Sequence, residues 1–103
     1  MTDILFQSQE NIAVITFNRP DVLNAFKRSM FQQLLVMLDT IANDDSIRAA
    51  LITGNGRAFS AGIDLEELSH LFDGSTVAEQ ARAELDEMQE LTRRMVNLRK
   101  PII

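Results

Sequence analysis

Residues 52–68, Ile-Thr-Gly-Asn-Gly-Arg-Ala-Phe-Ser-Ala-Gly-Ile-Asp-Leu-Glu-Glu-Leu, decide the reading of this chain. An apolar strand ends at Thr53, a loop holding three of the four glycines follows, and Asp64 then opens a stretch that reads as a helix. Such a junction turns backbone N–H groups toward a cleft at a helix N-terminus, where partial positive charge collects. An enzyme that stabilises an oxyanion needs that arrangement. Nucleotide-binding readings fail on spacing. Gly54-Asn55-Gly56 begins like a dinucleotide fingerprint, but Phe59 stands where the third glycine belongs and the helix starts too late. No Gly-Lys pair exists, so a phosphate loop is excluded. Ala58-Phe59-Ser60-Ala61-Gly62 is a near match to a nucleophile elbow, with Ala for the first Gly. A hydrolase using Ser60 also needs a base, and the one histidine, His70, falls too close downstream for hydrolase order. A small turn residue is the simpler role for Ser60, and a structural or surface role the simpler one for His70.

Working outward, the two-residue spacing of Ile4 and Phe6 predicts a strand at 3–9. Gln9-Glu10-Asn11 supplies a tight polar turn into a second strand at 12–17, so the two form a hairpin. Asn18-Arg19-Pro20-Asp21 breaks it. From about Ala25 the period becomes helical, with Met30, Leu34, Met37 or Leu38, and Ile41 on one stripe. Asn43-Asp44-Asp45-Ser46 ends that helix, and Ile47 to Thr53 is a short apolar strand. Strand, helix and strand over 12–53 make a βαβ unit with a parallel pair. A short helix is expected from Asp64 to about Phe72, with Asp64 and Glu67 at capping-box spacing. Thr76 to Glu79 is a second capping box. The helix after it carries Val77, Ala81, Leu85, Met88, Leu91, Met95 and Leu98 at spacings of three and four. Its carboxylates form a solvated face, and Met30, Met37, Met88 and Met95 read as core filler. Pro101-Ile102-Ile103 resembles a buried strand just starting, so 1–103 is read as the N-terminal part of a longer domain.

Composition excludes several classes. At 103 residues and 46% hydrophobic content, the chain supports one globular domain or part of one. A net charge of −5 with no basic cluster argues against nucleic acid and anionic membrane surfaces as partners. The chain has no cysteine, which removes disulfides, zinc-thiolate sites and thiol nucleophiles. No apolar run reaches the ~18 residues of a membrane span, and Met1 to Leu5 lacks signal-peptide regions. A cytoplasmic location is expected.

Two elements carry a family resemblance: Asn18-Arg19-Pro20-Asp21-Val22-Leu23-Asn24-Ala25 and, after a helix and Leu51-Ile52-Thr53-Gly54, Arg57-Ala58-Phe59-Ser60-Ala61-Gly62-Ile63-Asp64-Leu65. In this order they resemble the crotonase superfamily of enoyl-CoA hydratases and isomerases. Lys100-Pro101-Ile102-Ile103 is similar to the family strand leading into a second glycine-rich loop. The resemblance spans the chain but only the N-terminal, smaller part of a family subunit. It implies an α/β fold, a crotonase-like spiral of ββα units. It also implies an acyl-CoA thioester substrate, with hydration of a 2-enoyl-CoA first and double-bond isomerisation second. No cofactor or metal beyond the coenzyme A ester is implied. The family's assembly would make the complete subunit a homotrimer or hexamer. By motif, Ile63 offers its backbone N–H to the thioester oxygen, and the Ala61 carbonyl meets the adenine. Val22 and Leu23 help hold the nucleotide and pantetheine, while Ile63, Asp64 and Leu65 complete the contact set. Asp64 caps the following helix and holds the loop. The second oxyanion donor and the acid/base carboxylates fall beyond Ile103 in the family, and no motif promotes Glu66 or Glu67 to that role. The segment alone is therefore expected to be inactive. Two alternatives stay open: a noncatalytic acyl-CoA-binding relative and the Ser60 hydrolase.

Overall fold

A computed structural model describes residues 2–66 and 77–103. Strands β1 (Ile4–Gln9) and β2 (Ile12–Phe17) form the expected antiparallel hairpin, with Ile4 opposite Phe17 and Gln9 opposite Ile12. Glu10 and Asn11 turn the corner with φ of 49° and 71°. Positive φ at both positions matches the right-handed twist of the flanking strands, and asparagine tolerates it well. Helix α1 (Arg28–Asn43) crosses over, and β3 (Ala49–Gly54) returns parallel to β2, pairing Ile12 with Ala49 and Phe17 with Gly54. Helix α2 (Val77–Asn97) lies against α1. Ile102 bridges to Ala50 on the free edge of β3, as the expected strand start requires.

The core follows the periods of the sequence. Ile4, Ala13, Ile15, Phe17 and Ala50 point to one face of the sheet and meet Met30, Leu34, Leu38 and Ile41 of α1. Leu91 joins them from α2, with Met95 and Leu98 packed alongside. Leu85, expected on the same apolar stripe, is exposed, as is Val96. The opposite face of the sheet leaves Ile12 and Leu51 about two-fifths exposed, at 42% and 38%. Lys100 closes the end of α1: its Nζ donates to the carbonyls of Ile41 (2.5 Å) and Asp44 (2.8 Å). A cation at these orphan carbonyls is favourable on both hydrogen-bonding and dipole grounds.

Two boundaries differ from expectation. Helix α1 begins at Arg28 rather than about Ala25, because Phe26 is drawn into a β-bridge with Ile63. Strand pairing begins at Ala49 rather than Ile47. Ile47 is buried, but its N–H closes a turn onto the Asp44 carbonyl. Leu65 and Glu66 are helical. The expected continuation to Phe72, including Glu67 and His70, and the Thr76 cap lie outside the described residues.

Candidate functional site

Because β2 and β3 are parallel, both end on the same side of the sheet, at Phe17 and Gly54. The loops that follow, 18–27 and 55–64, therefore emerge side by side. The crevice outside the carboxyl ends of parallel strands is where α/β sheets commonly bind ligands. Here the two loops are joined along their length. The Asn55 N–H donates to the Phe17 carbonyl (2.9 Å) and its side chain to Asn18 Oδ1 (3.0 Å). Farther along, the Ala61 N–H reaches the Leu23 carbonyl (2.9 Å).

Asn24 is the centre of this seam. It is fully buried, and both N–H donors of its amide and its carbonyl oxygen are bonded. Its Oδ1 accepts from the Arg19 N–H (2.7 Å), and its Nδ2 donates to the carbonyls of Asn55 and Ala58 (2.9 Å each). The backbone there is unusual, with Leu23 and Asn24 in succession at φ 55° and 56°. Asn is well suited to that left-handed conformation and leucine is not. A 3-10 turn over Pro20–Val22, with proline first as its fixed φ favours, leads the chain into it. Gly54 makes room: a Cβ there would come within 2.7 Å of the Asn24 amide nitrogen and 2.6 Å of the Phe59 carbonyl.

Ser60 serves the same seam. Its Oγ donates to the Asn24 carbonyl (2.9 Å) and accepts from the Gly62 N–H (3.1 Å). The hydroxyl proton is thus directed into the turn. Gly62, at φ 94°, then swings the chain into a one-residue parallel bridge with Phe26. The Phe26 N–H donates to the Gly62 carbonyl (2.7 Å), and the Asp64 N–H to the Phe26 carbonyl (2.8 Å). In a parallel bridge the residue between those two partners turns its own N–H and C=O the other way. That residue is Ile63, and among the described residues no acceptor is bonded to its N–H.

Asp64 performs both expected tasks. Oδ1 accepts the Glu66 N–H (2.9 Å), a helix-start cap. Oδ2 accepts from Arg19 Nη1 (3.0 Å), a pair whose side chains are only 12% and 14% exposed. The same Nη1 donates to the Ala25 carbonyl (2.6 Å). Asp3 lies 4.0 Å from Arg19 Nε and 3.6 Å from Lys27 Nζ.

Five of the six residues picked from the sequence lie on these two loops, and Leu65 opens the helical turn just after the second. Val22, Ile63 and Leu65 are exposed at 45%, 42% and 78%, and Phe59, at 57%, adds a fourth apolar side chain to the surface. Ala61 is exposed, while Leu23 and Asp64 are half-buried. Phe59 rests on Phe17, and Phe17 meets Phe26 edge-on, so the apolar surface has an aromatic footing. Sequence reasoning missed Asn24 and Arg19. Both were visible inside the Asn18–Ala25 element, yet neither carried a role there. A hydrophilic residue between Leu23 and Ala25, in a loop needing left-handed backbone, was the available signal. A hollow of about 420 Å³ lies elsewhere, between the C-terminal ends of α1 and α2. Among the described residues no group of three potential metal ligands occurs.

A family model described as enoyl-CoA hydratase/isomerase matches residues 7–103. A 2,3-dehydroadipyl-CoA hydratase of Escherichia coli is 32% identical over 103 residues, 100% of this chain and 38% of that protein. A 1,2-epoxyphenylacetyl-CoA isomerase of the same organism is 36% identical, over 100% of this chain and 39% of its own length. A trans-2-decenoyl-[acyl-carrier-protein] isomerase of Streptococcus mutans is 32% identical, over 98% and 38%. Among solved structures, an enoyl-CoA hydratase/isomerase from Mycobacterium paratuberculosis superposes with a TM-score of 0.86 at 33% identity, over 99% of this chain and 40% of that one. An enoyl-CoA hydratase from Mycobacterium smegmatis gives 0.87 at 27%, over 99% and 38%. The chain thus spans about two-fifths of the length of the proteins it matches.

Proposed function

Because this chain belongs to the enoyl-CoA hydratase/isomerase family, with the crotonase fold, we propose that it supplies the first half of an acyl-CoA site whose central group is the Ile63 N–H. The observation that carries this reading is the Phe26–Ile63 bridge, which takes up the Asp64 N–H, while Ser60 Oγ takes up that of Gly62, and leaves that of Ile63 turned outward. Proton removal α to a thioester, or addition of water to its conjugated alkene, builds negative charge on the carbonyl oxygen. A fixed N–H aimed at that oxygen stabilises the charged state more than the ground state, and one such donor is worth ~2.7–4 kcal/mol. Preorganisation matters most, because a donor that must first turn into place spends part of that energy on the turn.

The remaining groups suit an acyl-CoA ester. The Ala61 carbonyl receives the adenine, and the backbone at Val22 and Leu23 borders the nucleotide and pantetheine arm. The exposed apolar side chains of Val22, Phe59, Ile63 and Leu65 offer surface to the acyl and pantetheine chains. Asp64 keeps the loop in register. Hydration of a 2-enoyl-CoA is the leading reaction and double-bond migration the next, each carried out by a complete homotrimeric or hexameric subunit in the cytoplasm. The second donor and the proton-transferring carboxylates come from residues outside this chain, so the chain alone binds without turnover. Ser60 hydrolysis gains no support, since its hydroxyl is engaged on both sides within the turn.

The test is a titration of ¹⁵N-labelled protein with but-2-enoyl-CoA. The Ile63 amide resonance should move downfield on saturation, more than those of the β1–β2 hairpin. Saturable binding that leaves the Ile63 resonance unmoved would overturn the proposal.

A further inference from the structure

We propose that Arg19 is the positioning residue that sets which N–H faces outward, by locking the register of the Phe26–Ile63 bridge. The functional meaning rests on the acyl-CoA reading above; the geometry does not. The bridge is one residue wide and holds only two hydrogen bonds, Phe26 N–H to Gly62 O and Asp64 N–H to Phe26 O. In any strand pairing, a slip of one residue exchanges the groups that point in with those that point out. A slip here would turn the Ile63 N–H inward and present a neighbouring one. The other ties between the loops, the Ala61 N–H to the Leu23 carbonyl and Ser60 Oγ to the Asn24 carbonyl, lie on one side of the bridge and do not reach across it.

Arg19 does. Its Nη1 bonds the Ala25 carbonyl, just before Phe26, and Asp64 Oδ2, just after Ile63. One nitrogen therefore ties a marker on each segment, one on either side of the bridge. The Arg19 backbone is itself anchored: its N–H donates to Asn24 Oδ1 and its carbonyl accepts from the Asn24 and Val22 N–H groups. Asp64 is oriented through its other oxygen by the Glu66 N–H. Both charged side chains are largely sheltered from water, so the pair is stronger and less screened than an exposed one. A guanidinium presents two hydrogens on one nitrogen at fixed angles, which suits two acceptors on different strands.

The experiment compares the unsubstituted protein with Arg19→Met, Arg19→Lys and Asp64→Asn. Amide hydrogen exchange at Phe26 and Asp64, without ligand, reads the register. Arg19→Met should speed both at least about tenfold while the Ile15 and Ala50 amides keep their rates, because opening is local rather than global. Arg19→Lys, whose ammonium ends about one atom short of the Nη1 position and lacks the planar fork, should fall between. Equal exchange at Phe26 and Asp64 in Arg19→Met and the unsubstituted protein would overturn the proposal. If Arg19→Met does not fold, Asp64→Asn, which keeps an acceptor for Glu66 but loses the charge, gives the same two readings. A second readout is the carbonyl stretch of bound but-2-enoyl-CoA. Its shift to lower frequency should shrink in Arg19→Met with affinity changed less than the shift. No shift in the unsubstituted protein counts against the acyl-CoA reading alone, whereas a shift undiminished in a folded Arg19→Met counts against the positioning role of Arg19.

Discussion

The loop seam and the α1–α2 interface are both held partly by polar contacts, but of different kinds. In the seam, buried Asn24 makes three hydrogen bonds through its amide, and each partner is a backbone group. Between the helices, Arg28 grips Glu87 through two 3.1 Å bonds, and Arg94 is shared between Asp39 and Glu90. Those side chains are substantially exposed, up to 58% for Asp39. Exposed pairs contribute little and can re-form in other geometries. A buried amide bonded to three backbone groups fixes one geometry, because each group left unpaired out of water costs about 1–3 kcal/mol. Directional bonds thus lie where the proposed function needs a single N–H aimed, and forgiving ones where the helices need only stay together over Leu91, Met95 and Leu98.

The contrast breaks most sharply at Asn24. Asn24→Asp keeps the shape but replaces two donors by an oxygen facing the carbonyls of Asn55 and Ala58. It should cost about 3–5 kcal/mol of stability, as two buried acceptors lose their bonds, seen as a lower midpoint in urea unfolding. A loss under about 1 kcal/mol would mean the seam is as forgiving as the helix interface. Gly54→Ala tests the space around that amide. Three backbone or amide atoms lie within 2.7 Å of the new Cβ, so a loss of about 1–3 kcal/mol is expected. Hydrogen exchange should quicken at Ala61 more than at Ile15.

The smallest effect belongs to the helix interface. Hydrogen bonding from Arg28 holds the Glu87 carboxyl below its ordinary value. A carboxyl depressed in the folded state adds stability above its unfolded pKa of about 4.3, and that increment is lost as pH falls through the folded value. Glu87→Gln should therefore cost only a few tenths of a kcal/mol near pH 7. The gap from the unsubstituted protein should close in acid below about pH 4. Thermal melts at pH 7 and pH 3 measure it.

Periodicity carried the hairpin, the crossover and the α1 stripe, because Ile15, Leu34 and Ile41 are buried for reasons that alternation and 3.6-residue spacing encode. The two misplaced boundaries are places where a distant partner won over local preference. Ala25 and Phe26 suit a helix, but Phe26 bonds Gly62 and Asp64. Ile47 suits a strand, but a turn captures it first. Within the site, the Asp64 cap was legible since capping is local. The pairing of Arg19 with Asp64 was not, as nothing in sequence spacing marks partners 45 residues apart. The two motifs mark both loops in the sequence, but the bonds that join them exist only in the fold.

The seam also has a consequence for the order of assembly. Ser60 and the Asn24 carbonyl it bonds are 36 residues apart, and Asn55 and Asn18 37. Such contacts reward the chain only after the intervening loop-closure entropy has been met. The hairpin and α1 can form from near neighbours, but the outward N–H exists only once β3 has docked beside β2. Partial unfolding that separates β3 from β2 should then silence the proposed acyl-CoA site well before the helices melt.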